Sequence, residues 1–214
     1  MPFSNRTDAG RQLAALLDRE DVHADVVLGI PRGGLPVARP VADRLDAPLD
    51  IVVASKIGAP RNPELAIGAA AADGSAWLNH DLIERLGVAR NYVERQRRRE
   101  TRAAAGKAQH YRGERAPPAL AGQHVVVVDD GIATGATARA CLRQVRAAGA
   151  ARVVLAVPVG SPTTVEELQA EGQEVIAVET PPHFRAVGQF YREFGQVSDA
   201  EAMTYLDGVR RGRA

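Results

Sequence analysis

Cysteine is nearly absent: Cys141 is the single one in 214 residues. No intramolecular disulfide can form, and a cysteine-based metal site is excluded. This usage suits a reducing compartment, so a cytoplasmic location is expected. No apolar run approaches the roughly 18 residues of a membrane span. The opening stretch Met1 to Arg6 is not followed by the apolar core of a signal peptide. No membrane partner is therefore expected. Charge of one sign is lacking too. The net charge is +1, so any attraction for nucleic acid would have to come from a local patch. Internal repeats and low-complexity tails are missing. Aromatic residues make up only 4% of the chain, which gives weight to the places where they gather.

What is present suits one α/β domain of ordinary size. Apolar positions at Ala9, Leu13, Leu16 and Leu17 predict a helix over residues 8–18. Val26-Val27-Leu28 reads as a buried strand ending at Gly29, and Gly29 to Gly34 reads as a loop. A helix over Leu35 to Leu45 and a second strand over Leu49 to Ala54 follow. Ala66 to Ala72 reads as a strand, and Leu82 to Gln109 as mainly helical with a break near Gly87. Arg115 to Gly122, with Pro117-Pro118, reads as a linker. Val125 to Val128 is the clearest buried strand. A loop, a helix from Gly135 to Ala148, a strand over Val153 to Val157, a helix over Thr163 to Gln169 and a strand over Val175 to Val178 complete the series. Such strand–loop–helix units predict a twisted parallel sheet with helices on both faces. Ligands then bind beyond the carboxyl ends of the strands, where both Gly-rich loops would lie.

The loop after Val128 carries the chemistry. Asp129-Asp130-Gly131-Ile132-Ala133-Thr134-Gly135-Ala136-Thr137 places two carboxylates, then small residues, then a helix start. Small residues admit close backbone approach. The N–H groups of Ala133 to Thr137 would point out of a helix N-terminus, where a phosphate monoester binds. Thr134 and Thr137 add hydroxyl donors. The paired carboxylates suit the vicinal hydroxyls of a ribose. Together they describe a ribose 5-phosphate site. The spacing does not fit a Walker loop, since three residues separate Gly131 from Gly135 and Ala136 follows; nor is Gly-x-Gly-x-x-Gly present. The plain alternative is a capped βα turn, but two adjacent acids beside a buried strand are costly without ligands.

These residues resemble the binding motif for 5-phosphoribosyl-1-pyrophosphate (PRPP) of the type I phosphoribosyltransferases. The resemblance implies a single domain over residues 1–214: a core over about 20–180, a helical insertion over about 78–115, and a hood over about 181–214, with the N-terminal helix as a candidate contributor. It implies that Gly131, Ala133, Thr134, Gly135, Ala136 and Thr137 cup the 5′-phosphate. Asp129 and Asp130 would hold the ribose hydroxyls, directly or through Mg²⁺ and its waters. Arg32, Gly33 and Gly34 would meet the pyrophosphate, with a strained or cis peptide near Pro31 to Gly33. Lys56 and Arg61 would neutralise the leaving group, and Lys56 joins Asp129 and Asp130 as a catalytic candidate. Purine-specific members commonly carry an acid where this chain has Ala133, so a purine acceptor is less favoured.

Four further features are weighed beside this. Ile57 to Leu65, with Gly58, Pro60 and Pro63, is either a closing loop or a plain surface loop. Phe184, Phe190, Tyr191 and Phe194 cluster behind Pro181-Pro182-His183. Most should form the hood's own small core, while Phe184, Phe190 and Tyr191 are the candidates to reach a flat base. Trp77 and Cys141 read as structural. Arg95, Arg97, Arg98, Arg99 and Arg102, interspersed with Glu94 and Glu100, read first as a solvated helix face with local ion pairs. The expected function is Mg²⁺-dependent transfer of phosphoribose from PRPP to a small nitrogenous acceptor. The alternative is a non-catalytic PRPP sensor contacting RNA through that helix; otherwise no nucleic acid partner is expected. A homodimer is the default assembly.

Overall fold

The computed structural model describes residues 3–207. The first helix, α1 (Arg6–Arg19), starts where the Asn5 side chain accepts the Asp8 N–H at 2.9 Å. Strand β1 (Val26–Gly29) leads into α2 (Gly34–Arg44). Pro36 is tolerated in the first turn of α2, where a backbone N–H has no intrahelical acceptor. Then follow β2 (Leu49–Ile51), β3 (Ala54–Ala59), β4 (Asn62–Ala71) and β5 (Ala76–Leu78). Helices α3 (His80–Arg85) and α4 (Arg90–Arg112) flank Gly87, which takes φ +60°. The second half of the chain alternates: β6 (His124–Val128), α5 (Ala136–Ala147), β7 (Arg152–Val159), α6 (Pro162–Ala170), β8 (Glu174–Glu179), a short 3₁₀ turn (Val187–Phe190) and α7 (Asp199–Asp207).

Five strands form an all-parallel sheet in the order β2-β1-β6-β7-β8. The valines of β6 alternate between two cores. Val126 and Val128 face Leu13, Leu17, Leu35 and Val41 of α1 and α2. Val125 and Val127 face Cys141, Leu142 and Val145 of α5. β1 and β6 pair from Val26↔Val125 to Gly29↔Val128, so both strands end together. The chain runs on to β2 on one side and to β7 on the other. The loops after β1 and β6 therefore open side by side at the point where the strand order reverses.

The expected second strand, Leu49 to Ala54, is two strands. β2 stops at Ile51, and β3 leaves the main sheet to build an antiparallel sheet with β4 and β5. Residues 57–65 are correspondingly a hairpin turning at Pro60-Arg61, not an irregular loop. Gly58 and Pro63, which read as loop residues, sit where the pairing register shifts. A Cβ at Gly58 would lie 2.5 Å from the Pro63 carbonyl oxygen, so the glycine is required by that close approach. The candidate hood assembles from 180–198 and the N-terminus. Phe3 N–H donates to the Phe190 carbonyl (2.7 Å), and Arg192 N–H donates to the Phe3 carbonyl (2.8 Å). Residues 208–214 of the expected hood lie outside the described residues. Among the described residues no helix is long and apolar enough to cross a membrane.

Candidate active site

The loop after β6 is shaped by turning its carbonyls inward. Ile132 C=O accepts Ser161 N–H (2.8 Å), Ala133 C=O accepts the Thr164 hydroxyl (2.6 Å), and Thr134 C=O accepts Arg139 Nη1 (2.9 Å). The N–H groups of Ala133, Thr134 and Gly135 find no protein acceptor among the described residues. With the free first-turn N–H groups of Ala136 and Thr137 they form a donor cup at the start of α5. Gly135 takes φ +68°, and a Cβ there would meet Arg139 Nη1 at 2.7 Å and Thr164 Cγ2 at 2.9 Å. The structure thus brings together five of the six residues expected to hold a phosphate, while Gly131 packs against Val187 and Val159. Arg139 and Thr164, which hold the loop from behind, were not anticipated. Arg139 is buried, salt-bridged to Glu167 (3.0 Å) and Glu171 (2.8 Å), and lies over the Trp77 ring at 4.9 Å. Trp77 is structural, as expected, and so is the fully buried Cys141.

The two aspartates lie at the mouth of the crevice. Asp129 Oδ1 accepts the Asp130 N–H at 2.8 Å, and Asp130 Oδ2 accepts Arg6 Nε at 2.8 Å. Burial, and then the neighbouring Asp130 charge, push the Asp129 carboxyl well above its usual range. Burial also raises Asp130, with the Arg6 hydrogen bond opposing it. Arg6 reaches the site from α1. Its Nη1 donates to the Gly195 carbonyl at 2.7 Å, and its Cζ lies 3.9 Å from the Phe194 ring centroid. No pattern in the sequence marks Arg6, because its role depends on two segments far along the chain. Among the described residues no trio of His, Cys, Asp or Glu could hold a metal by itself.

The loop after β1 meets this pair directly. A Cβ on Gly33 would fall 2.1 Å from Asp130 Oδ2, and one on Gly34 would fall 2.8 Å from the Val128 carbonyl oxygen. Both glycines are therefore needed for the two loops to touch. The Pro31–Arg32 peptide is cis. The Arg32 side chain, expected to face the same crevice, instead points to Asp199 at 3.6 Å. Lys56 lies on β3, where its ammonium pairs with Glu64 at 3.0 Å. Arg61 lies at the hairpin turn, exposed. Neither is seen in contact with the aspartate pair.

The aromatic cluster is the hood's own core. Phe184 and Phe190 stack on each other at 5.5 Å, and Tyr191 packs between Phe3 (5.4 Å) and Phe194 (5.0 Å). Tyr191 is only 6% exposed and its hydroxyl donates to the Asp130 carbonyl at 2.6 Å. Its ring is thus unavailable for stacking on a base, which corrects that expectation. Burial, with Asp130 beside it, raises the Tyr191 pKa strongly. On α4, Arg97 reaches the Gly74 carbonyl (3.4 Å) and Glu94 (3.3 Å), and Arg99 pairs with Glu100 (3.6 Å). This matches the solvated-face reading.

A donor cup, an acid pair and a glycine loop thus converge at the end of two adjacent parallel strands. The phosphoribosyl transferase domain model matches residues 4–194. The chain belongs to this family. The phosphoribosyl transferase domain here is 45% identical over 209 residues to the Mycobacterium tuberculosis H37Rv protein named "Putative phosphoribosyl transferase Rv0571c", and its counterpart in strain CDC 1551 gives the same figures. The match covers 98% of this chain and 47% of those proteins, so the chain spans about half the length of the curated relatives it matches. The domain also superposes on the crystal structure of TT1426 from Thermus thermophilus with a TM-score of 0.81, at 43% identity, covering 96% of this chain and 98% of that one.

Proposed function

We propose that this phosphoribosyl transferase domain moves 5-phosphoribose from PRPP to a small nitrogenous acceptor, with release of pyrophosphate. The observation that carries this reading is the contact of Gly33 and Gly34 with Asp130 and Asp129 beside the donor cup. One crevice then offers separate places for a 5′-phosphate, a ribose diol and a pyrophosphate. The cup from Ala133 to Thr137 takes the 5′-phosphate through N–H groups and the Thr134 and Thr137 hydroxyls. Asp129 and Asp130 accept from the ribose hydroxyls. The backbone of Arg32 to Gly34 faces the leaving group. Arg6 keeps Asp130 oriented and opposes the rise that burial gives its carboxyl.

As the C1–O bond breaks, its electron pair leaves with pyrophosphate and positive charge grows on the ribose ring. The acceptor nitrogen lone pair then closes the new bond at C1. The donor set of two adjacent carboxylates fits Mg²⁺, a hard cation that keeps waters and shares substrate oxygens; Asp129 and Asp130 would hold it directly or through those waters. When bound it supplies charge neutralisation at the pyrophosphate. With alanine at position 133 the rim of the cup presents no carboxylate to a purine, which favours other nitrogenous acceptors, a pyrimidine-type nucleobase among them. The cytoplasm and a homodimer belong to the same proposal.

Calorimetric titration with PRPP, with and without Mg²⁺, tests the reading. Magnesium-dependent binding supports it and leads to screening nucleobases for pyrophosphate release. Absence of binding in both conditions overturns it.

A further inference from the structure

A second cavity lies behind the loop that follows β1. It opens between that loop and the C-terminal half of α4, with a volume of about 620 Å³. Pro31 and Arg32 form one wall, Lys107, His110 and Tyr111 of α4 another, and Asp199 at the start of α7 the third. None of these residues belongs to the phosphate cup or the aspartate pair. The cavity absorbs one feature the transferase reading leaves over, the outward turn of Arg32.

Its charge pattern is cationic on two sides. Arg32 comes from the loop after β1 and Lys107 and His110 from α4, and the single carboxylate among the lining residues is already engaged. Asp199 accepts the Tyr111 hydroxyl at 2.5 Å and lies 3.6 Å from the Arg32 guanidinium. The Tyr111 hydroxyl, then the charges of Arg32, His110 and Lys107, hold the Asp199 carboxyl below its usual range. Two basic side chains, Arg32 and Lys107, thus face this space against one carboxylate. The Arg32–Asp199 pair is exposed, at 45% and 52%, and long, so an incoming anion can displace Asp199 at little cost. Tyr111 is buried, at 4% exposure, with its hydroxyl on Asp199, and the exposed His110 ring meets it edge to face at 5.4 Å. The volume exceeds what an inorganic anion needs and lies in the range of small-molecule sites.

We propose that this cavity is a second, regulatory site for a phosphate monoester of nucleotide size, its phosphate held by Arg32, Lys107 and His110 and its remainder filling the cavity volume. Binding there draws Arg32 from Asp199. Arg32 is the neighbour of Gly33, and Gly33 touches Asp130. An anion in the outer cavity thereby shifts the loop on which the inner site depends.

The test is titration of the full chain, saturated with PRPP and Mg²⁺, with AMP, GMP and UMP in turn, then with ribose 5-phosphate and inorganic phosphate. One further equivalent of nucleotide is expected to bind, more tightly than the two smaller anions. Lys107→Glu and His110→Ala, both at exposed positions of α4, should each weaken that binding about tenfold, as loss of a charge-assisted contact does, and leave PRPP affinity unchanged. No further equivalent, or nucleotide binding indifferent to both substitutions, overturns the proposal. Inorganic phosphate binding as tightly as the nucleotides overturns the nucleotide-sized assignment. Failure of PRPP itself to bind counts against the transferase reading; the nucleotide titration then runs without PRPP, and its dependence on Lys107 still decides this cavity.

Discussion

Asp129 stands at the end of a buried valine strand with its carboxyl raised well above the usual range by burial and by Asp130. A carboxyl whose folded pKa is raised holds its proton more tightly in the native state than in the unfolded one. Its contribution to stability is fully present below the unfolded value and is lost as pH rises through the raised folded value. Above its unfolded value the group is therefore a destabilising feature retained for a ligand. Asp129→Asn should raise the melting temperature of the unliganded protein at pH 7 and remove PRPP binding; the gain should shrink as the pH falls toward the unfolded value. Thermal unfolding across that range checks this, and a lower melting temperature for the variant at pH 7 would refute it. Gly33 is under a different constraint. Because an added Cβ would overlap Asp130 Oδ2, Gly33→Ala should displace that carboxylate and cut PRPP affinity by about tenfold or more, in keeping with the loss of one charge-assisted bond. Calorimetry against the parent protein would show it, with circular dichroism confirming an intact fold.

At the scale of elements, the phosphate cup is not self-supporting. α5 and α6 hold it through Arg139, which is 3% exposed and ties the Thr134 carbonyl to Glu167 and Glu171. Glu167 and Glu171 are themselves half exposed, at 57% and 41%, so water compensates them when Arg139 is removed, and the Thr134 carbonyl is the group that loses its donor. Arg139→Met should lower the unfolding free energy by about 1 kcal/mol and weaken PRPP binding, since Thr134 loses its anchor. Denaturant unfolding and PRPP titration on the same variant measure both. Unchanged PRPP affinity in a destabilised protein would limit Arg139 to a structural role. The hairpin β3–β4 behaves differently. It is joined to α4 through the Tyr92 hydroxyl, which donates to the Gly58 carbonyl at 3.0 Å. Lys56 and Arg61 lie on this hairpin, where the Lys56 ammonium is paired with Glu64.

At the scale of the whole molecule, the two ends of the described chain close over the site. Phe3 is 2% exposed and its backbone bonds 190–192, while Arg6 clamps Asp130 against the hood. Closure of the hood and orientation of the acid pair are thus one structural event. Phe3→Ala should destabilise the fold by about 3 kcal/mol, the usual cost of emptying a buried aromatic site. It should also speed hydrogen exchange in 187–197 more than in β6. Exchange mass spectrometry reads this directly, and uniform acceleration across the chain would argue against a coupled hood.

The valine run and the small, acidic, threonine-bearing turn after it sufficed to locate the cup and the acid pair. Those features act locally: a buried strand, a helix start and close backbone approach all follow from neighbouring residues. The parallel order of most elements was legible for the same reason, since hydrophobic period and Gly/Pro punctuation are properties of short windows. The split of Leu49 to Ala54 into two sheets was not, because Gly58 and Pro63 read as loop residues until the antiparallel partner strand is present. The partners of Asp130 were equally hidden. Arg6, Gly33 and Tyr191 reach it from far-separated parts of the chain, and only packing brings them together. The direction of Arg32 was decided in the same way, by Asp199 and α4 rather than by its place in a Gly-rich loop. What this sequence determined by itself was the chemistry of the loop after β6; the tertiary structure alone decided which side chains face it, because contacts between distant segments leave no periodic trace in the chain.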